Sequence, residues 1–132
     1  HTRLTCDWSS DVCSSDLSYR NILLELVNEM NLDYVSPSFE TETILEVSAL
    51  IEKLNLVISP DTSIIHIASA FDIPVISIHE KNNESYRLWA PTSKLNNTVF
   101  SRTEVGLNDY NVDQILSSAQ NIIKSVRLKQ CK

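Results

Sequence analysis

Apolar positions change their period along the chain. Between Tyr19 and Asn31, Leu23, Leu26, Val27 and Met30 recur at the spacing of one helical face. Asp33 to Ser36 reads as a short extended segment stopped by Pro37. Thr43-Ile44-Leu45-Glu46 fits a capping box, in which a threonine oxygen and a glutamate each satisfy an orphan amide at a helix start. The helix it opens is expected to bury Ile44, Val47, Ile51 and Leu54. Leu56 to Ser59 is an apolar run ended by Pro60, the pattern of a buried strand. Asp61 to Ala70 predicts a helix with a polar start, and Pro74 precedes a second buried strand, Val75 to Ile78. His79 to Lys94 is polar and reads as loop, with Trp89-Ala90-Pro91 embedded in it. Asn97 to Ser101 can form one more short strand. Val112, Ile115, Leu116, Ala119, Ile122, Ile123 and Val126 then follow one face of a last helix, with Asn111 placed to cap it. Short apolar strands alternating with helices call for a parallel sheet covered on both faces, an α/β fold.

Composition narrows the function classes. The chain has 132 residues and a formal net charge of −6, which speaks against a nucleic-acid module with its basic face. No apolar run approaches the roughly 20 residues of a membrane-spanning helix. The single glycine, Gly106, excludes a Walker A loop and a dinucleotide fingerprint, which need two and three glycines for close approach to phosphate. Cys6, Cys13 and Cys131 match no zinc-site spacing, and an odd count argues against a disulfide scaffold. The chain therefore reads as reduced and intracellular, with no metal site.

His1 to Leu17 lacks either periodicity and carries two of the 3 cysteines. It has no basic and apolar regions of a secretory signal. The segment resembles translated sequencing-adapter text at the end of a gene fragment, with a poorly ordered native leader as the alternative. On the first reading residues 18–132 are a domain truncated at its N-terminal side.

Ligands of parallel sheets bind outside the carboxyl ends of the strands. Here Leu56 to Ser59 delivers the chain to that rim, and Asp61 or Thr62 can cap the helix that follows. The free amides of its first turn and the helix dipole form a site for anionic oxygen that needs no glycine loop. His66 lies four residues after Thr62 and three after Ser63, so its imidazole can sit over the first turn beside both hydroxyls. Such a patch suits a diphosphate. The same letters also suit an ordinary N-cap with His66 as a core histidine; Asp61 and His66 diverge by more than a turn along a helix, which leaves a direct pair only if Asp61 lies before the helix.

The stretch LNLVISPDTSIIHIASAFDIPVISIH is similar to the C-terminal domain of glycosyltransferase family 9, the ADP-heptose:lipopolysaccharide heptosyltransferases. That family carries a strand, Asp-Thr-Gly, a His three residues further, small residues, and a Pro opening the next strand. Asp61, Thr62, His66, Ala68, Ala70 and Pro74 stand in register with it, and Trp89-Ala90-Pro91 resembles its later Trp-x-Pro segment. The resemblance implies a GT-B architecture, two Rossmann-like domains facing across a cleft, with this chain part of the C-terminal one. By position, Asp61 would contact the donor sugar or position its phosphates. Thr62 and Ser63 would bind the diphosphate of a nucleotide-sugar such as ADP-heptose, with His66 near its oxygens.

The resemblance further implies no bound metal or other cofactor. It assigns the catalytic base, and a lipid-linked or lipopolysaccharide acceptor, to an N-terminal domain absent from these residues, so no catalytic residue is expected here and the chain alone should not turn over. It places the protein in the cytoplasm, at the inner face of the cytoplasmic membrane where acceptors are met; Lys124, Arg127, Lys129 and Lys132 could touch that face, or simply suit a helix C-terminus.

Two departures stand out. Ser63 replaces the glycine, and Ile78-His79-Glu80-Lys81 stands where the family has Gly with Thr or Pro. His79 and Lys81 can contact phosphate or acceptor, or lie in a solvated loop. Tyr86 and Trp89 can stack on a nucleobase or pack on the domain surface. The alternatives to a family 9 transferase are a non-catalytic nucleotide-sugar-binding module, with Ser63 as its symptom, and another GT-B enzyme.

Overall fold

The computed structural model describes residues 17–130 except 82, 104, 105 and 108. The three cysteines and most of the set-aside leader lie outside the described residues. Among the described residues, five helices and three strands follow in the order α1 (Leu17–Met30), α2 (Ile44–Glu52), β1 (Val57–Pro60), α3 (Ser63–Ala70), β2 (Val75–His79), α4 (Asn83–Trp89), β3 (Asn96–Phe100) and α5 (Val112–Gln130). The strands form one parallel sheet in the order β1-β2-β3. The fold is the expected α/β one, a Rossmann-like parallel sheet with flanking helices.

Strand alternation separates two dry layers. On one face Val57 and Val75 pack with Ile64, Ile65 and Ala68 of α3 and with Val47 and Ile51 of α2. On the other, Ile76, Ile78 and Val99 pack with Ile115 and Ile122 of α5. Pro60 ends β1 as its last residue rather than standing beyond it, which an edge strand tolerates. The amide of Asp61 continues the ladder to the Ile78 carbonyl at 3.0 Å.

The capping box at α2 forms with one change of partner. Thr43 Oγ1 accepts from the Glu46 amide at 3.3 Å, while Glu46 Oε2 accepts from the amide of Glu42, one residue before the cap, at 2.7 Å. Asn111 caps α5 as expected, its Oδ1 accepting from the Gln114 amide at 3.2 Å.

Several expectations are corrected. Ile44, read as buried, is exposed, as are Leu26 and Met30 of α1 and Val112 and Leu116 of α5. Each lies at the right period, but among the described residues no element covers it. Asp33 and Tyr34 lie in a turn closed by the Val35 amide on the Leu32 carbonyl, with no strand there. The polar text after His79 contains α4, a short helix read as loop. After β3 the chain is pinned to β2: the Gly106 amide donates to Glu80 Oε1 at 2.8 Å, and Gly106 has φ 86, a conformation glycine adopts without steric cost.

Candidate functional site

The carboxyl rim is built by consecutive rows on the α3 face of the sheet. The pairing aligns Ser59 with Ser77 and Ser77 with Thr98, so three hydroxyl residues stand side by side across the strands. Ser77 Oγ lies 2.9 Å from Thr98 Oγ1, which is also 3.1 Å from the Tyr86 hydroxyl of α4. The next row outward brings Asp61, His79 and Phe100 together, because Asp61 extends β1 opposite the last residues of β2.

Thr62 is the N-cap residue of α3, in extended backbone with φ −140 and ψ 173, yet its side chain makes no capping bond. Its Oγ1 instead lies 3.3 Å from Ser59 Oγ. Asp61 likewise points toward the sheet, with Oδ2 at 3.3 Å from Nδ1 of His79. Neither side chain expected to cap the helix does so. The Ile65 amide of α3 is taken by the Thr62 carbonyl at 3.1 Å; those of Ser63 and Ile64 precede any helical acceptor and stand at the carboxyl rim. Ser63, the first helical residue, is partly exposed beside them.

His66 is exposed on α3 and does not enter the core. Its ring meets that of Trp89 edge-on, with centroids 5.6 Å apart. Asp61 lies before α3 rather than on it, and it partners His79 rather than His66. Lys81 is exposed just past β2.

His79 is the main surprise. The strand includes it, and its side chain is only 2% exposed, so the solvated-loop reading is wrong. Tyr86 packs edge-on against its ring at 5.0 Å, and Phe100 lies 6.4 Å away. Tyr86 thereby packs in the His79–Phe100 cluster, with its hydroxyl 3.1 Å from Thr98 Oγ1. Nε2 of His79 is buried and has no hydrogen-bond partner among the described residues, which costs about 1–3 kcal/mol.

Burial lowers the His79 pKa from the ordinary 6.5, partly opposed by the Asp61 carboxylate, with His66 adding to the lowering. Between 6.5 and that lower value the unfolded chain binds a proton that native His79 refuses, so stability rises with pH there. The contribution is complete above 6.5 and is lost as pH falls through the folded-state value. Urea midpoints followed downward from neutral pH should therefore fall more steeply for the wild type than for His79→Phe; equal slopes would refute this assignment.

The serine row could have been found in the sequence. Ser59 and Ser77 each follow a valine by two positions in otherwise apolar strands, which places them on one face. His79 gave no such signal, because the strand reading ended at Ile78.

Among the described residues no group of three or more His, Cys, Asp or Glu is placed to hold a metal ion, and no helix is long and apolar enough to cross a membrane. Compared with known proteins, residues 25–116 match the sequence model of glycosyltransferase family 9 (heptosyltransferase). No curated protein and no solved structure matches.

Proposed function

Because the chain belongs to glycosyltransferase family 9, the heptosyltransferase family, we propose that it binds the nucleotide-sugar donor of a sugar transfer at the opening of α3. The observation that carries this reading is the uncapped first turn of α3 at the carboxyl rim of a parallel sheet, with His66 exposed one turn on. The amides of Ser63 and Ile64 and the hydroxyl of Ser63 meet the diphosphate oxygens, with Thr62 beside them turned back to Ser59, and the helix dipole favours their charge. His66 adds a donor at the edge of the same turn. Asp61 contacts the donor sugar.

In a sugar transfer, negative charge builds on the nucleoside diphosphate as the glycosidic bond breaks. Dipoles fixed in place before the reaction lower that barrier without reorganising. In this reading they stand where a metal ion would otherwise sit, and no cofactor is needed. ADP-heptose is the donor that the family suggests. The acceptor is a lipopolysaccharide core or a related surface glycan, met at the inner face of the cytoplasmic membrane. The base that activates the acceptor belongs to a companion N-terminal domain of a GT-B enzyme, and residues 18–132 supply the donor half.

Saturation-transfer NMR on the chain with ADP, ADP-heptose and UDP-sugars tests the reading. Transfer to ADP and ADP-heptose, with amide shifts confined to residues 61–66, is the expected result. Absence of binding by all three ligands would overturn it. Ser63 favours one second reading, a binding module without turnover, since a side chain narrows the approach to phosphate where glycine leaves it open. A donor that binds but is never transferred, even with acceptor and the companion domain supplied, would favour that module.

A further inference from the structure

The diversion of both capping side chains away from α3 needs a cause, and the residues behind them supply it. Aspartate commonly closes a turn by accepting from the amide two residues on. For Asp61 that amide belongs to Ser63, the first of α3. Asp61 instead faces Nδ1 of His79 at 3.3 Å. Thr62 would ordinarily accept from the first turn as its N-cap, but it faces Ser59. Ser59 and His79 are almost fully buried and belong to adjacent strands, so they form a rigid backing from which both side chains are held.

His79 carries a further mark. Its ring stands among Tyr86 and Phe100 with Nε2 buried and unpartnered, an arrangement that packing alone would not select over an apolar ring. What an imidazole supplies there and a phenyl ring does not is a ring nitrogen, Nδ1, 3.3 Å from Asp61 Oδ2.

Resting on the donor reading above, we propose that His79 is a positioning residue of the donor site. It holds the Asp61 carboxylate off the Ser63 amide and so keeps the opening of α3 free for phosphate. Without it, Asp61 swings onto that amide and competes with the diphosphate by hydrogen bond and by charge.

The test combines ADP titration with the amide spectrum of the whole chain. His79→Phe preserves the ring volume, and ADP affinity should fall about fivefold, the equivalent of one N-cap. The Ser63 amide proton should shift downfield in the same variant before any ligand is added. Adding Asp61→Ala to His79→Phe should recover the lost affinity, because the competitor is gone. His79→Asn, whose side-chain amide can donate near the position of Nδ1, should restore both readouts. In the wild type, imidazole nitrogen shifts should report the proton on Nδ1, a measurement that needs no variant to fold.

A proton on Nε2, or a Ser63 amide unmoved in His79→Phe while ADP binds as before, overturns the proposal. So does a double variant no better than His79→Phe. If the wild type does not bind ADP but the Ser63 amide moves as described, the donor reading fails and the positioning of Asp61 stands.

Discussion

Ser63→Pro is expected to weaken nucleoside diphosphate binding by roughly 10- to 100-fold while leaving α3 folded. Proline is favoured at the first position of a helix, where its missing N–H would have had no helical partner and its fixed φ suits the turn. The preceding residue must be extended, and Thr62 already has φ −140 and ψ 173. The substitution therefore removes the Ser63 amide donor, and the Ser63 hydroxyl with it, from the proposed diphosphate site while leaving the backbone path unchanged. A hydrogen bond to a charged group contributes about 1.5–3 kcal/mol, which sets the expected loss. Calorimetric titration with ADP measures the affinity, and a thermal melt checks that the fold is retained. A folded variant that binds ADP like the wild type would show that the Ser63 amide does not touch the ligand.

Ile65→Ala has the largest expected effect on stability, a loss of about 2–5 kcal/mol. Ile65 is completely buried and packs in the layer with Val57, Val75, Val47 and Ile51, between the sheet and α2. Removing its branches leaves a cavity that strands on one side and a helix on the other resist closing. The loss is large against the 5–15 kcal/mol typical of a whole domain. Urea unfolding should show a lower midpoint with an unchanged slope. A loss under about 1 kcal/mol, the scale of an ordinary surface change, would mean that α3 is not anchored through this residue.

The parallel sheet was legible because short apolar runs, each closed by proline or a polar residue, alternate with helical spacing. The last helix and its Asn111 cap were legible for the same local reasons. What failed was the step from periodicity to burial. Ile44, Leu26, Met30, Val112 and Leu116 sit on apolar faces, but a period describes one element and says nothing about a partner across from it. The helix Asn83–Trp89 was missed because its apolar residues are few and its length is two turns, too short for a period to emerge. In the candidate site, Asp61, Thr62, Ser63 and His66 were singled out from spacing and resemblance; Ser63 and His66 lie on α3, while the side chains of Asp61 and Thr62 turn back to His79 and Ser59. Their connections were not legible. Only the pairing of β1 with β2 brings Asp61 to His79, and pairing depends on residues about 18 positions apart; Thr62 turns back to Ser59, three residues before it, through the local path of the chain.

The row formed by Ser59, Ser77 and Thr98 has a consequence for how the strands find their alignment. A slip of β2 by one residue would drop Ser77 and His79 into the oily layer beneath α5 and lift Ile76 and Ile78 among the hydroxyls. Both layers penalise that error, one by stranding polar groups and the other by wetting isoleucine. The polar rim thus acts as a key that admits a single strand alignment, so drift in these hydroxyl positions would disturb folding.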